Sequence, residues 1–448
     1  MTVDRSSSHG ITIDCIQAPL GRPEPLVYPL GLATLAGSLP SHHAVRLIDP
    51  NLIGVEKTIR LIRDNTPDII CLSIRNLDSQ IRRDLFYYYM YLKTFIRQVR
   101  SVAPHSVIIA GGSGFSLFPY RIMVDNPDVD RGVFLEADRI LPDLIESLHT
   151  PEAIRGVYYR VEDRIVYTGD PDLPVPDDFG RPRYDLLDPK PYEANGGVGI
   201  QTKRGCPLHC IYCTYPHLNG ACLRMVPVER IIDEMKELEH RYGVREITFV
   251  DGVFNIPTRR TEALLRAKLA AGLQMRWRAW FTEKGFTREF AELCRDAGCP
   301  EFSFSPDGFS STTLKALGKT ISVEDIQRVF EIARETPGIR VAFNFFWNPP
   351  GQTLKTWFRM IRFAVRCKLI LRKKAGGIIF SNARIEPNTP LHALAIDDGV
   401  IDTGTDLLPE TADQLKRLFY SNRSTRVLDV VYDVYSCLWK FRRFLRRK

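Results

Sequence analysis

The chain has 448 residues, 44% hydrophobic and 25% charged, with a formal net charge of +8. That is the balance of a globular protein too long for one ordinary core, so two or three domains are expected. No apolar run approaches the ~18 residues that span a bilayer, Met1–Gly10 has no apolar leader pattern, and the ten cysteines lack paired spacing, which together point to a reducing cytoplasm. Lys440–Lys448 carries six basic residues and no acid, leaving the rest of the chain at +2 (8 − 6). A nucleic-acid groove is therefore not indicated.

The N-terminal third alternates strand and helix. Ile11–Gln17 reads as a strand, followed by a Pro/Gly-rich loop over Ala18–Pro29 and a helix over Leu30–Leu39. Strands at Ala44–Ile48, Asp68–Ser73 and Val107–Ala110 alternate with helices at Val55–Asp64 and Leu85–Val99. This order predicts a doubly wound parallel sheet with ligands at the carboxyl ends of its strands. Gly111, Gly112 and Ser113 follow the fourth strand, where glycine lets backbone approach a nucleotide or phosphate. Gly156–Tyr167 reads as a hairpin, and Asp170–Pro191, rich in Pro and Asp, as a connector.

The most specific motif comes next, Arg204-Gly205-Cys206-Pro207-Leu208-His209-Cys210-Ile211-Tyr212-Cys213. Cysteines at C-x3-C-x2-C spacing can bind three irons of one cubane and leave the fourth iron open. Zinc is the competing reading, with His209 and His217 as further ligands, but no second cysteine or histidine pair accompanies the loop. The stretch resembles the cluster loop of the radical S-adenosylmethionine (radical SAM) enzymes. The resemblance implies that Cys206, Cys210 and Cys213 hold a [4Fe-4S] cluster, that the open iron chelates S-adenosylmethionine, and that Tyr212 packs near the adenine.

With that loop in place, Tyr28-Pro29-Leu30-Gly31, Asp49-Pro50-Asn51 and Gly111-Gly112-Ser113 resemble the cobalamin-binding domain fused ahead of many radical SAM barrels. Tyr28, Leu30, Gly111, Gly112 and Ser113 are its implied cofactor contacts. The chain departs from the pattern twice: no D-x-H-x-x-G histidine lies in Gln17–Pro29, and Leu135-Glu136-Ala137-Asp138 stands where relatives show Gly-Glu-Gly-Glu. Arg75 ends the third strand, and resemblance to the tryptophan-methylating branch implies an arginine at the lower face of cobalt. An always-charged guanidinium does not ligate. The competing reading pairs Arg75 with Asp78.

From Gly199 the alternation resumes and predicts a partial (β/α) barrel with its active face at the strands' carboxyl ends. Asp251 ends the second barrel strand, Ser305 and Asp307 the fourth, and Asn344 and Asn348 end or follow the fifth. The resemblance assigns these five to S-adenosylmethionine. Glu283 and Lys284 are substrate-side or acid/base candidates, and Trp277, Trp280 and Trp347 pocket walls or core. In the C-terminal region Val427, Val431, Val434, Leu438, Phe441 and Leu445 share one helical face that runs into a basic end beside Trp439 and Phe444, suited to a membrane surface or docked on the barrel.

The expected architecture is α/β throughout. A cobalamin-binding-like domain fills residues 1–150, a linker with a hairpin 151–195, a partial barrel 196–395, and a helical region with a basic amphipathic tail 396–448. The resemblance implies a cobalamin-dependent methyltransferase acting on a carbon of a natural-product or lipid-like small molecule, with a flavodoxin- or ferredoxin-like electron donor and peripheral membrane contact through the tail. Cyclisation or rearrangement without methyl transfer, and a nonenzymatic cobalamin sensor, are the alternatives.

Overall fold

The computed structural model describes residues 10–445, except the side chains of Asn195 and of residues 438–445. The tail residues Trp439, Lys440, Phe441, Phe444 and beyond lie outside the described side chains. The chain divides into two compact units, one of residues 1–78 and 87–192, the other of residues 79–86 and 193–448.

In the first unit β1 (Thr12–Gln17), β2 (Ala44–Ile48), β3 (Ile69–Ser73), β4 (Val107–Gly111) and β5 (Arg131–Val133) form a parallel sheet in the order β2-β1-β3-β4-β5. The order reverses between β1 and β3, the crevice where doubly wound sheets bind ligands. Its strands are apolar runs such as Ile69–Leu72, buried on both faces as a parallel sheet requires. Helices α1 (Leu30–Ser38), α2 (Val55–Asn65) and α3 (Tyr89–Val102) cover it; α3 buries Tyr89, Leu92, Phe95, Ile96 and Val99 at helical spacing. The hairpin β6 (Val157–Val161) and β7 (Arg164–Tyr167) pairs antiparallel onto β5. It therefore extends this sheet instead of belonging to the connector, because β5 left an edge to cover.

The expected helix over Leu85–Val99 starts later, at Tyr89. Residues 79–86 leave the first unit and belong to the second, where Arg82 lies within 3.7 Å of Asp429 and 3.5 Å of Asp433 and its guanidinium sits 5.4 Å above the Tyr432 ring.

The second unit is an arc of parallel strands. β8 (Gly199–Ile200), β9 (Glu246–Phe249) and β10 (Arg276–Arg278) form one sheet; β11 (Trp280–Phe281), β12 (Glu301–Asp307), β13 (Arg340–Phe346) and β14 (Ala375–Ser381) form the next. Only Ala279 separates β10 from β11, so the two sheets read as one open barrel wall. Helices α4 (Val228–Lys236), α5 (Thr258–Ala270), α6 (Arg288–Asp296), α7 (Ser311–Ala316), α8 (Val323–Glu335) and α9 (Leu354–Leu371) follow successive strands. A phenylalanine lattice fills the wall: Phe343 and Phe345 pack on Phe363 of α9, and Phe281 meets Phe286, Phe290, Phe302 and Phe304. Helix α10 (Val427–Leu445) docks through Leu428 and Tyr432 on Trp347, whose indole N–H donates to the Leu428 carbonyl at 2.6 Å.

Gly112 sits at φ 99, and a Cβ there would lie 2.8 Å from the Ile74 carbonyl oxygen. Gly112→Ala is therefore expected to destabilise the first unit by about 1–3 kcal/mol, read from the denaturant midpoint.

Candidate functional site

The cysteine loop is held by backbone at both ends. Lys203–Arg204 pairs antiparallel with Arg224–Met225. Gly205 then turns at φ 86, where a Cβ would fall 2.0 Å from the Cys222 carbonyl oxygen, so only glycine fits. The Cys206 N–H donates to the Gly220 carbonyl at 3.1 Å, the Ile211 N–H to Leu317 at 3.1 Å, and the Leu391 N–H to Ile211 at 2.8 Å. Cys206, Cys210 and Cys213 line one pocket of about 230 Å³ with Tyr212, Glu283 and Ser305. Burial raises the Cys210 thiol and pushes Cys213 up to about 11, so a metal bound there would have to displace the thiol protons.

Tyr212 donates its hydroxyl proton to Asp307, and its ring meets Phe346 edge-on at 4.8 Å. Burial, then the Asp307 charge, holds the phenol well above its usual pKa. Lys319 Nζ bonds Asp307 at 2.5 Å and the Ser305 carbonyl at 2.7 Å, and lies 5.6 Å from the Tyr212 ring centre. Burial opposes the ammonium, yet Asp307 and Cys210 outweigh it and raise its pKa. Asp307, at φ 62, thus fastens the cysteine loop to the end of β12. Local sequence gave no cue to Lys319, which follows a six-residue helix in an ordinary turn.

Glu283 lines the same pocket, is 2% exposed, and has no hydrogen-bond partner for Oε1 among the described residues. Burial is the main cause raising its pKa to about 7, with Lys319 opposing. Its position rests partly on Asn255, which exchanges two hydrogen bonds with the Thr282 backbone, at 2.8 and 3.0 Å. Lys284 points to solvent, and Trp280 lines the pocket. Asn344 has no partner for Oδ1 among the described residues and faces the barrel interior, since its neighbours Phe343 and Phe345 turn toward α9.

Other expected site residues are spent inside the fold. The Asp251 carboxylate accepts the Thr202 N–H at 2.8 Å, the Thr202 hydroxyl at 2.5 Å and Lys203 Nζ at 2.8 Å, with no side-chain exposure. It braces the strand entering the cysteine loop and offers no free oxygen to S-adenosylmethionine. Burial lowers the Lys203 pKa and Asp251 resists that shift. Asn348 is 1% exposed and bolts the C-terminal segment down through Ser421 (2.9 Å), Asn422 (3.1 Å) and Thr425 (2.7 Å). Trp277 and Trp347 are core. The pocket lining includes neither His209 nor His217, and His217 meets Asn388 at 3.2 Å.

At the carboxyl edge of the first unit, Ser113 donates to the Arg75 carbonyl at 2.8 Å, which clasps the β3 and β4 loops together beside Gly111 and Gly112. The Arg75 side chain is open to solvent and forms no ion pair with Asp78 among the described residues. Crowding by surrounding protein lowers its pKa, with Tyr88 and Asp49 opposing. Tyr28 is buried against Tyr184 and Tyr192, its hydroxyl on the Leu187 carbonyl, so its side chain is packing. Leu30 opens α1 half-buried. Asp49 caps the short turn at Pro50 and accepts the Tyr192 hydroxyl at 2.9 Å; Asn51 holds the loop after β1 through Leu20 and Ala18.

Family comparison matches the same two regions. A B12 binding domain model covers residues 17–145, and a radical SAM superfamily model covers residues 200–364. The chain belongs to the cobalamin-dependent radical SAM methyltransferases. It is 25% identical over 418 residues to an uncharacterized methyltransferase of Pyrococcus horikoshii, covering 90% of this chain and 86% of that one. To the cytidylyl-2-hydroxyethylphosphonate methyltransferase of Streptomyces wedmorensis it is 22% identical over 370 residues, 68% and 66% of the two chains. The fold is similar to that of the radical S-adenosylmethionine methyltransferase TsrM from Kitasatospora setae, solved with tryptophan and an S-adenosylmethionine analogue. The TM-score is 0.80 at 18% identity, over 95% of this chain and 89% of that one.

The cofactors of this radical SAM family are a [4Fe-4S] cluster, S-adenosylmethionine and cobalamin. The residues fit the first two: three thiols share a pocket whose lining holds no further cysteine or histidine, with the orphaned Glu283 oxygen alongside. For cobalamin, Arg75, Asn76 and Ser113 stand exposed at the strand-order reversal, and Gln17–Pro29 holds no histidine.

Asp251→Ala is expected to cost about 3–5 kcal/mol of stability in the cluster-free chain, because Lys203 is left buried and unpaired, and iron loading should fall with it. A ligand contact would lose affinity for S-adenosylmethionine alone. The Glu283 shift also has a pH signature. Its native pKa lies above the unfolded value of 4.5, so stability falls as pH rises from about 4.5 to about 7 and then levels off. Glu283→Gln should therefore match the parent at pH 4 and exceed it at pH 8 by roughly 2–4 kcal/mol, measured by denaturant unfolding of cluster-free protein.

Proposed function

We propose that the chain transfers a methyl group from S-adenosylmethionine, with cobalamin as carrier, to a carbon of a natural-product or lipid-like small molecule. The observation that carries this reading is the convergence of three thiols and an orphaned, protonatable Glu283 on one pocket, in a chain whose other unit exposes an unpaired arginine at a cobalamin-type sheet edge. When bound, the cofactors supply methyl activation and transfer, chemistry that side chains do not provide.

The chain's own groups bind and orient. Cys206, Cys210 and Cys213 hold iron, and Tyr212, Asp307 and Lys319 fix the loop that carries them. Ser305 and Asn344 remain the polar contacts for S-adenosylmethionine. Glu283, near half-protonation at neutral pH, would accept at Oε1 the proton that the substrate carbon loses as it gains the methyl group. Arg75, exposed at the carboxyl edge of the sheet, would offer a bound corrin a fixed charge that does not act as a metal ligand. The phosphonate substrate named for one relative and the tryptophan bound to TsrM support a small molecule as acceptor. A flavodoxin- or ferredoxin-class protein is the electron source, and the free thiols suit a reducing cytoplasm.

Anaerobically reconstituted protein, given methyl-labelled S-adenosylmethionine and cobalamin, should load label onto the corrin, and Cys206→Ala should reduce that loading to background. Electron paramagnetic resonance of the bound cobalt(II) corrin should show no nitrogen coupling from protein. A nitrogen-ligated spectrum would reject the role given to Arg75.

A further inference from the structure

Helix α9 and the turn after it carry a second concentration of positive charge, apart from the tail. Between Lys355 and Lys374 lie eight Lys or Arg and no Asp or Glu. One face of α9 is core, with Met360, Phe363, Ala364, Cys367 and Leu371 buried. Another face stands in solvent. Leu354, Phe358, Val365 and Leu369 fall within about 60° of one another at 100° per residue, and Phe358 and Leu369 are 63% and 69% exposed. Arg362, Lys355, Arg366 and Arg359 occupy about the next 80° of the helix.

The cationic side borders a groove of about 1030 Å³. Arg359, Arg362, Arg366 and Lys315 line it over a floor that includes Leu314 and Phe363, with Glu324 as its acidic member. Arg366 pairs with Glu331 at 2.9 Å, whereas Arg359, Arg362 and Lys315 have no acidic partner among the described residues. On the far flank of the apolar stripe, Trp357 and Ile361 pack against the Trp347, Leu428 and Tyr432 cluster. Helix α10, docked on that cluster, exposes Val427, Val430, Val431 and Val434.

We infer that α9, with the valine face of α10 beside it, seats the protein on an anionic bilayer surface. The four large side chains enter the acyl boundary, and the adjoining arginines and lysines meet lipid phosphates, their aliphatic stems lying along the apolar layer. A second copy of the chain is a poor occupant, because it would bring two acid-free cationic helices together. An acidic redox partner would satisfy the arginines, but transient electron-transfer interfaces are small and leave a stripe of this kind uncovered. No described helix is long and apolar enough to cross a membrane, and the inference is of a surface contact only. It stands apart from the methyl-transfer reading, since none of the α9 residues named lines the cysteine pocket.

The test is sedimentation of the full-length holoprotein with vesicles of phosphatidylcholine alone or mixed with phosphatidylglycerol. The parent should bind the mixed vesicles, bind phosphatidylcholine weakly, and come off in high salt. Arg359→Gln with Arg362→Gln should weaken binding roughly 25-fold, about fivefold per cation. Phe358→Ser with Leu369→Ser should weaken it roughly tenfold or more, with the melting temperature unchanged because these side chains are exposed. Equal binding to both vesicle types, or parent-like binding by both double variants, overturns the inference. So does full loss of binding in R442Q/R443Q/R446Q/R447Q, which would assign the contact to the tail. A dimer that Phe358→Ser with Leu369→Ser dissociates, with no vesicle binding by the parent, would assign the stripe to a second copy.

Discussion

The buried Lys203–Asp251 pair is the contact on which the placement of the cysteine loop depends. It ties the end of β9 to the segment that leads out of β8, and the loop begins two residues later, at Gly205. A buried ion pair is not in itself a large net source of stability, but removing either partner strands a charge and is costly. Tyr212, Asp307 and Lys319 form a matching clamp on the other side, from the end of β12. Between the two clamps the three thiols are held by a frame of short strands and backbone hydrogen bonds. Charged groups that look catalytic by position are, in these two cases, the supports of the metal-binding loop.

The order of elements was legible in the sequence because hydrophobic periodicity reports burial directly. Strand ranges such as Ala44–Ile48, and Val107–Gly111 to within one residue, follow from apolar runs bounded by turn residues. Position at a strand's end was also legible, but not what a side chain does there. Asp251, Asp307 and Asn348 stand at strand ends or just beyond them, yet their polar atoms turn inward to Lys203, Lys319 and Thr425. Such partners are distant in sequence and no spacing rule reveals them. Glu283 was visible as a polar residue after a strand; its raised pKa depends on packing by many residues and was not.

The net charge teaches a related point. The basic tail accounted numerically for most of +8, which hid a helix with no acid at all, balanced elsewhere by Asp and Glu on other surfaces. In α9 the core-facing period and the exposed apolar stripe overlap in sequence, so the helix reads as an ordinary barrel helix until burial separates the two faces. Residues 79–86 offer a similar case. Their polar composition reads as loop, but Arg82 packs over Tyr432 between Asp429 and Asp433, giving the segment a fixed place in the second unit.

The central claim is that this chain builds one site-differentiated cluster and one corrin site on the residues named. Its most direct test is metal and cofactor content after anaerobic reconstitution, read with the electron paramagnetic resonance of the reduced cluster before and after S-adenosylmethionine is added. The account predicts about four iron, four sulfide and one corrin per chain, and a cluster signal that shifts on addition. One zinc per chain, or an iron cluster whose signal ignores S-adenosylmethionine, would contradict it.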